Sequence, residues 1–433
     1  MKRALSLALA ALLLAGCTAA PAASGAAAAS AAPAPPPAAA ESSEATAAPA
    51  ATASTEPLRL LQQGDEKQYY LIEPANADKT LERFRIVDLT TGENTIPCDV
   101  EGCTHDNEDC PAVWSRETWD FGVSAWVLDE DTLLIISNAS DPYKTVFYLA
   151  DRNCQNLTPI ATTEEAVIGL AQKCTDGTSL YFLMSIEGGP YKICRLSFAD
   201  GSLTVLWEGT EYPVPGVIGR NYVLKTSDLT DPAPTSDPDT GIMPLPTGTV
   251  THSLLNVDTG EIRELYTYSS DEWNLKNLDA YLVDGQYYQI DRAAGTLCTL
   301  DPDTGERRLI TDGLPTASMD DYNLDYQIKA NLNGWLVFYG LPVIVNVETG
   351  EVRQRIDLPE NYWNGYGHQP GIYLQLKDRL LVDCRYEPYT RTDMGSNGTP
   401  VYTETHHVYL GLISIEDFLN GVPNYTEVCQ RPD

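Results

Sequence analysis

Basic residues are scarce in this chain. Its 433 residues carry 28 Lys and Arg against 61 Asp and Glu, a formal net charge of −33. Nucleic acid and anionic lipid headgroups attract cations, so this balance excludes a nucleic-acid binder and a protein that docks on anionic lipid. Histidine is thin as well, at five residues, which leaves little side-chain capacity for proton transfer near neutral pH. No G-x-S-x-G elbow, H-E-x-x-H pair or phosphate-binding glycine loop occurs. Acidic pairs such as Asp320-Asp321 and Asp271-Glu272 have the form a glycosidase uses, yet 61 acids produce such pairs by chance. Catalysis therefore has no segment to stand on, and the reading leans toward a non-catalytic protein. Apolar runs are also short. Past the leader, none reaches the ~18 residues that cross a bilayer as a helix.

The leader itself is informative. Lys2 and Arg3 precede an apolar stretch from Ala4 to Leu14, too short to span a membrane. Leu14-Ala15-Gly16-Cys17 follows directly and resembles a bacterial lipobox; a plain secretory signal is the alternative. The resemblance implies cleavage before Cys17, residues 1–16 as signal peptide, and acyl chains on Cys17 as the membrane attachment. Residues 17–56 are almost wholly Ala, Pro, Ser and Thr, without aromatics. Such a composition cannot bury enough surface to offset chain entropy, so a disordered tether is expected, locally stiff at Pro33 to Pro37. Residues 57–433 are left for the folded part.

That part repeats. Val257-Asp258-Thr259-Gly260-Glu261, Pro302-Asp303-Thr304-Gly305-Glu306 and Val347-Glu348-Thr349-Gly350-Glu351 are near copies spaced by 45 residues. Each lies between two runs of β-formers, as a three-residue hairpin loop with left-handed Gly would, its Asp capping the turn. Looser relatives begin at Asp88, Asp151, Ala199 and Glu416, making seven. A second turn class alternates with the first without exception: Gly64-Asp65, Glu130-Asp131, Asp176-Gly177, Arg220-Asn221, Asp284-Gly285, Asn333-Gly334 and Lys377-Asp378. Each unit reads strand a, tight turn, strand b, looser loop, strand c, Asp-Thr-Gly turn, strand d. The fold class is thus all-β: a seven-bladed β-propeller of four-stranded antiparallel blades. Blades two and seven are the least regular, which leaves six or eight blades open. Helical periodicity is absent from the folded part except for a turn near Ser414 to Leu419.

The chain lacks the Gly-His and Trp-Asp pairs of WD40 repeats. From about Leu58 to Cys429 its turn grammar is similar to the divergent propellers of bacterial surface lipoproteins, in the style of YVTN or TolB-type repeats. The resemblance implies a fold and a lipid-anchored, extracytoplasmic location, but no particular activity.

Strand polarity sorts the connections. The a–b and c–d turns share one rim and are nearly all minimal. The long segments are b–c or d–a: Cys98 to Asp120, Lys225 to His252, Ser269 to Asn277, Thr311 to Tyr326, Pro359 to Gly371 and Tyr386 to Thr405. Loops on a rigid scaffold carry function, so the binding surface is expected there. Its candidates are Trp114, Trp119, Trp273, Tyr322, Tyr362, Trp363, Tyr366 and His368, aromatics among amides and carboxylates. They suit a protein, a peptide or a glycan, and packing at the blade edges is the plain alternative. The expected function is ligand binding by this face. A propeller-type carbohydrate hydrolase or lyase and an envelope assembly scaffold are the alternatives.

Cys98, Cys103, His105 and Cys110 form the densest cysteine cluster, expected in the first d–a connection. Three thiols and an imidazole suit zinc, with Asp106 and Asp109 in support. Export favours a disulfide within the trio, which is the first choice, so no cofactor is expected beyond zinc as the second reading. Cys194, Cys298 and Cys384 fall in strands, where a small buried residue is the default.

Overall fold

A computed structural model gives the architecture. It describes residues 56–431 except 77, 116–121, 141–142, 165, 168–172, 186–188, 212–215, 231–246, 270–277, 317–324, 357, 359–369 and 395–398. Residues 53–433 form one compact unit. Seven antiparallel sheets follow one another along the chain, each built from consecutive strands except that the third also takes in Arg59–Leu60. Blade 1 has Gln68–Pro74, Leu81–Asp88 and a fourth strand split into Asn94–Thr95 and Val113–Ser115. Blade 2 has Val123–Val127, Thr132–Ser140, Tyr143–Asp151 and Thr158–Thr163. Blade 3 has Cys174–Thr175, Ser179–Ser185, Tyr191–Ser197 and Leu203–Gly209, with Arg59–Leu60 and Ala166–Val167 added. Blade 4 has Val217–Ile218, Asn221–Thr230, Thr247–Asn256 and Ile262–Ser269. Blade 5 has Leu278–Val283, Gln286–Asp291, Thr296–Leu300 and Arg307–Thr311. Blade 6 has Ile328–Leu332, Trp335–Phe338, Val343–Asn346 and Val352–Gln354. Blade 7 has Ile372–Gln375, Arg379–Met394, Pro400–Ser414 and Thr426–Gln430. The fold is a seven-bladed propeller.

Packing shows why seven sheets make a ring. A strand alternates its side chains between two faces, and here both faces of the middle strands are covered. In blade 3, Leu180, Phe182 and Met184 pack on Leu134, Ile136 and Phe147 of blade 2. Tyr181 and Leu183, one residue out of step, pack on Tyr222, Leu224 and Leu255 of blade 4. Blade 1 likewise turns Tyr69 and Leu71 to Leu381, Leu410 and Val428 of blade 7, and Tyr70 to blade 2. The same exchange joins blades 4 and 5, 5 and 6, and 6 and 7, so seven inter-blade cores close on themselves. Outer strands are more exposed, as at Leu203–Gly209. No described sheet mixes strands from the two chain ends. Closure rests instead on the blade 1–blade 7 core and on Asn94 Nδ2 donating to Val428 O at 3.1 Å and Arg85 Nη2 to Gln430 O at 3.0 Å.

The repeated c–d turn differs from expectation by one residue. Asn256 N donates to Glu261 O and Gly260 N to Asn256 O, both at 2.9 Å, closing a four-residue loop rather than a three-residue one. Identical pairs recur at Asp88 with Gly92, Ser197 with Gly201, Asp301 with Gly305 and Asn346 with Gly350. Gly260 sits at φ +72°, a region that favours residues without Cβ. The capping oxygen is also not that of the Asp inside Asp-Thr-Gly. It belongs to the last residue of strand c: Asn256 Oδ1 accepts from the amides of Asp258 and Thr259, both at 3.0 Å. The expected short helix is present at Ile415–Leu419, capped by Ser414 Oγ accepting from Asp417 N at 3.0 Å.

Irregularity falls on blade 1 rather than on blades 2 and 7. Its innermost strand is reduced to a single bridge between Gly64 and Tyr69. The chain before it crosses the inner ends of four blades. Leu58 N bonds Gly219 O in blade 4, Arg59 and Leu60 pair with Thr175 and Cys174 in blade 3, Gln62 O accepts from Val127 N in blade 2, and Gln63 O accepts from Tyr70 N in blade 1. Leu58 and Leu61 are buried in the cores of blades 3–4 and 2–3.

Candidate functional site

The two rims differ. On one, a–b and c–d turns touch within each blade: Leu89 N bonds Lys67 O, Phe198 N bonds Thr178 O, Val257 N bonds Arg220 O, Val347 N bonds Gly334 O and Ile415 N bonds Asp378 O, at 2.8–3.0 Å. Arginines then join neighbouring blades. Arg152 Nη2 reaches Asp65 and Nε reaches Tyr70 Oη, each at 2.8 Å, bridging blades 2 and 1. Arg220 does the same for blades 4 and 3, donating to Asp258 Oδ2 at 2.8 Å, Asp176 Oδ2 at 3.0 Å, Tyr181 Oη at 3.3 Å and Glu56 O at 2.8 Å. Burial opposes ionisation of Asp176, yet the Thr178 contacts, Arg220 and Tyr181 hold its carboxyl below the usual range. This is a locked face. A cavity of about 300 Å³ lies between the inner ends of blades 1, 2 and 7 and is lined by Arg59, Gln62, Asp65, Glu66, Gln375 and Lys377 among others. No histidine, cysteine or hydroxyl side chain lines it.

On the opposite rim, every internal stretch outside the described residues belongs by sequence to a b–c or d–a connection. Trp119, Trp273, Tyr322, Tyr362, Trp363, Tyr366 and His368 all fall outside the described residues. Trp114 is described and belongs to packing: its ring meets Phe84 edge-on at 6.0 Å and Tyr148 at 5.5 Å within the blade 1–blade 2 core. Within the segments expected as loops at 225–252 and 386–405, the described residues 225–230, 247–252, 386–394 and 400–405 are strand. The reason is cross-strand pairing that continues past the blade. Asn221–Thr230 pairs with Thr247–Asn256 along its whole length, and Arg379–Met394 pairs with Pro400–Ser414 from Arg379 to Met394.

The second pair forms an arm. Ile372–Gln375 stops opposite Val382 and Thr426–Gln430 stops opposite Tyr409. Beyond those points each of the two strands pairs, among the described residues, only with the other. At the arm's base the Arg385 guanidinium lies 3.4 Å from the Tyr409 ring centre and bonds Glu427 at 2.9 Å and Glu387 at 3.1 Å. Further out, Tyr389 stacks on His407 at 3.9 Å with rings 5° apart, and Tyr402 is 72% exposed. Sequence reasoning did not single out Tyr389 or Tyr402 as binding candidates. The alternation of Tyr, Thr, Arg and Glu on both sides of Gly395 was the available signal.

The cysteine cluster sits in the interruption of blade 1's fourth strand, not in a d–a connection. Asn94–Thr95 pairs with Val87 and Ile86, the chain leaves the sheet, and Val113–Ser115 returns to pair with Arg83, Glu82 and Leu81. In between, one ligand atom each of Cys98, Cys103, His105 and Cys110 converges, all within 4.8 Å of one another. His105 Nδ1 lies 3.3 Å from Cys110 Sγ. All nine described cysteines are free thiols in this structure. Gly102 at φ +74° and His105 at φ +55° flank Cys103 and turn the chain back. Arg83, held by Glu73 at 2.7 Å, donates to His105 O at 3.2 Å. The His105 amide directed at its sulfur holds the Cys103 thiol below its ordinary value, whereas burial pushes Cys110 up to about 12. Asp106 accepts from the Thr104 hydroxyl and from Asn107 Nδ2, and so braces the turn rather than touching a ligand. Elsewhere, Cys194 is fully buried as expected, while Cys298 and Cys384 are half-buried.

No family model matches this chain, and no curated protein matches it. Several solved structures match the backbone at low sequence identity. Puromycin hydrolase gives a TM-score of 0.41 at 10% identity over 82% of this chain and 58% of its own, so the present chain spans about three-fifths of that enzyme. An oligogalacturonate lyase in complex with manganese gives 0.35 at 12% identity over 81% and 90% of the two chains. TolB from Acinetobacter baumannii gives 0.31 at 10% identity over 80% and 75%. At this level of likeness neither hydrolysis, elimination nor binding passes from those proteins to this one.

Proposed function

We propose that this chain is a lipid-anchored propeller of the bacterial cell envelope. It binds a polypeptide through its b–c and d–a rim, with the arm of residues 386–407 as a principal contact, and it does not turn its ligand over. The difference between the rims carries this reading. One rim is locked by turn-to-turn hydrogen bonds and arginine bridges and receives the N-terminal segment at Glu56. A two-stranded ribbon extending past its blade presents backbone edges and exposed Tyr402, the groups that strand-adding and aromatic-anchored recognition of polypeptide uses.

The soluble chain from residue 56 onward, presented to an envelope-derived peptide array and to a glycan array, tests the proposal. A peptide signal weakened about tenfold or more by Tyr402→Ala or Trp363→Ala, and unchanged by Thr304→Ala on the locked rim, is expected. Binding to glycan alone, or cleavage of the bound probe, contradicts it.

A further inference from the structure

We infer that Cys98, Cys103, His105 and Cys110 hold one structural zinc ion. A tetrahedral zinc with thiolates at about 2.3 Å and imidazole nitrogen at about 2.0 Å sets its ligand atoms roughly 3.5–3.8 Å apart. The four groups here already lie within 4.8 Å of one another, with the His105–Cys110 pair at 3.3 Å. A disulfide would join two sulfurs and leave the third thiol and the imidazole aimed at the same point. That His105 adopts a left-handed backbone to bring its ring there points to a purpose shared by all four groups. Soft thiolate ligands with one imidazole select zinc over the hard cations that acidic chains otherwise attract.

The metal has a structural task. Between Thr95 and Val113 the chain is out of the sheet, and the apolar support beneath it is small: Ala75, Cys110, Ala112 and Val113, with Leu81 and Ile96 alongside. Ordering so long an excursion over so small a patch calls for a further bond. Zinc supplies it by tying Cys98, next to the outgoing half-strand, to Cys110, next to the returning one. On binding, each thiol gives its proton to solvent, and three thiolates and a neutral imidazole fill all four positions. No position is left for water or substrate, so the site is a staple and not a reactive centre. It stands at the b–c end of blade 1, beside Ala75, and fixes the margin of the rim assigned above to binding.

The test uses the full-length chain purified without chelator. Elemental analysis should find about one zinc per chain, and X-ray absorption should fit three sulfurs at about 2.3 Å and one nitrogen at about 2.0 Å. Cys98→Ser and His105→Ala should each lose most of the metal, whereas Cys298→Ser, outside the cluster, should keep it. Should the ligand variants fail to fold, the absorption spectrum of the unaltered chain still decides the matter. A disulfide located among Cys98, Cys103 and Cys110, a chain that stays metal-free in excess zinc chloride, or zinc retained in both ligand variants would overturn the inference.

Discussion

Arg220 connects more of the molecule than any neighbour of its size. One guanidinium joins Asp258 in its own blade, Asp176 and Tyr181 in blade 3, and the carbonyl of Glu56. The Asp176 side chain is 2% exposed, so removing Arg220 takes a counter-charge from a buried carboxylate and leaves it the hydrogen bonds of Thr178, Ser179 and Tyr181. Arg220→Ala should therefore cost about 3 kcal/mol in urea denaturation, and Arg220→Lys should recover only part, because lysine cannot fork between two carboxylates. His252 sets a second expectation. It is buried against Tyr266 and Tyr287, and burial, followed by the charge of Lys225, lowers its pKa from 6.5 to about 4. The unfolded chain takes up a proton near pH 6.5 while the folded one resists until about pH 4. Stability is thus intact above pH 6.5 and falls as the pH drops toward 4, by about 3 kcal/mol from this group. His252→Gln should remove that share of the pH dependence, measured as the difference in denaturation free energy between pH 7 and pH 4.

Among the elements, the segment from Glu56 to Gly64 runs along the inner ends of the blades with only Arg59–Leu60 in strand. Its leucines fill gaps between blades: Leu58 is 7% exposed and Leu61 5%. Replacing Leu61 with Ala should cost about 2–4 kcal/mol, and calorimetry should show the loss even though the residue lies outside any regular strand. The arm should behave oppositely. Its outer pairs touch mainly each other, so replacing residues 387–407 by a two-residue turn should leave the melting temperature nearly unchanged while removing ligand capture. How far sequence reveals such elements depends on how local their determinants are. The c–d turns were legible because glycine at positive φ, a capping Asn or Asp and a Thr hydroxyl all lie within six residues. Strand extension in the arm was not, because pairing of Thr392 with Tyr402 depends on a partner strand, and Thr, Arg and Glu read equally well as loop. The split fourth strand of blade 1 was hidden for a related reason. Val113 to Ser115 is too short to declare itself, and only its pairing with Leu81 to Arg83 identifies it.

At the scale of the whole molecule, blade number was readable and its irregularities were not. Two turn classes alternating seven times count the blades directly, whereas Trp114 looked like a surface aromatic because nothing local shows that Phe84 and Tyr148 close over it. The ring is held by seven cores of similar make and by few bonds between the first blade and the last. The chain as a whole is strongly acidic, at −33, and like charges of that number repel one another. What gives it direction is the contrast between a locked rim that receives the chain at Glu56 and an opposite rim that carries the arm. Photo-crosslinking in living cells addresses that contrast most directly, with a benzophenone amino acid placed in the full-length chain at Tyr402 on the arm or at Thr304 on the locked rim. Discrete protein adducts from position 402, with none from position 304, are the predicted result. Adducts from position 304 with none from position 402 would contradict the assignment of the recognition face.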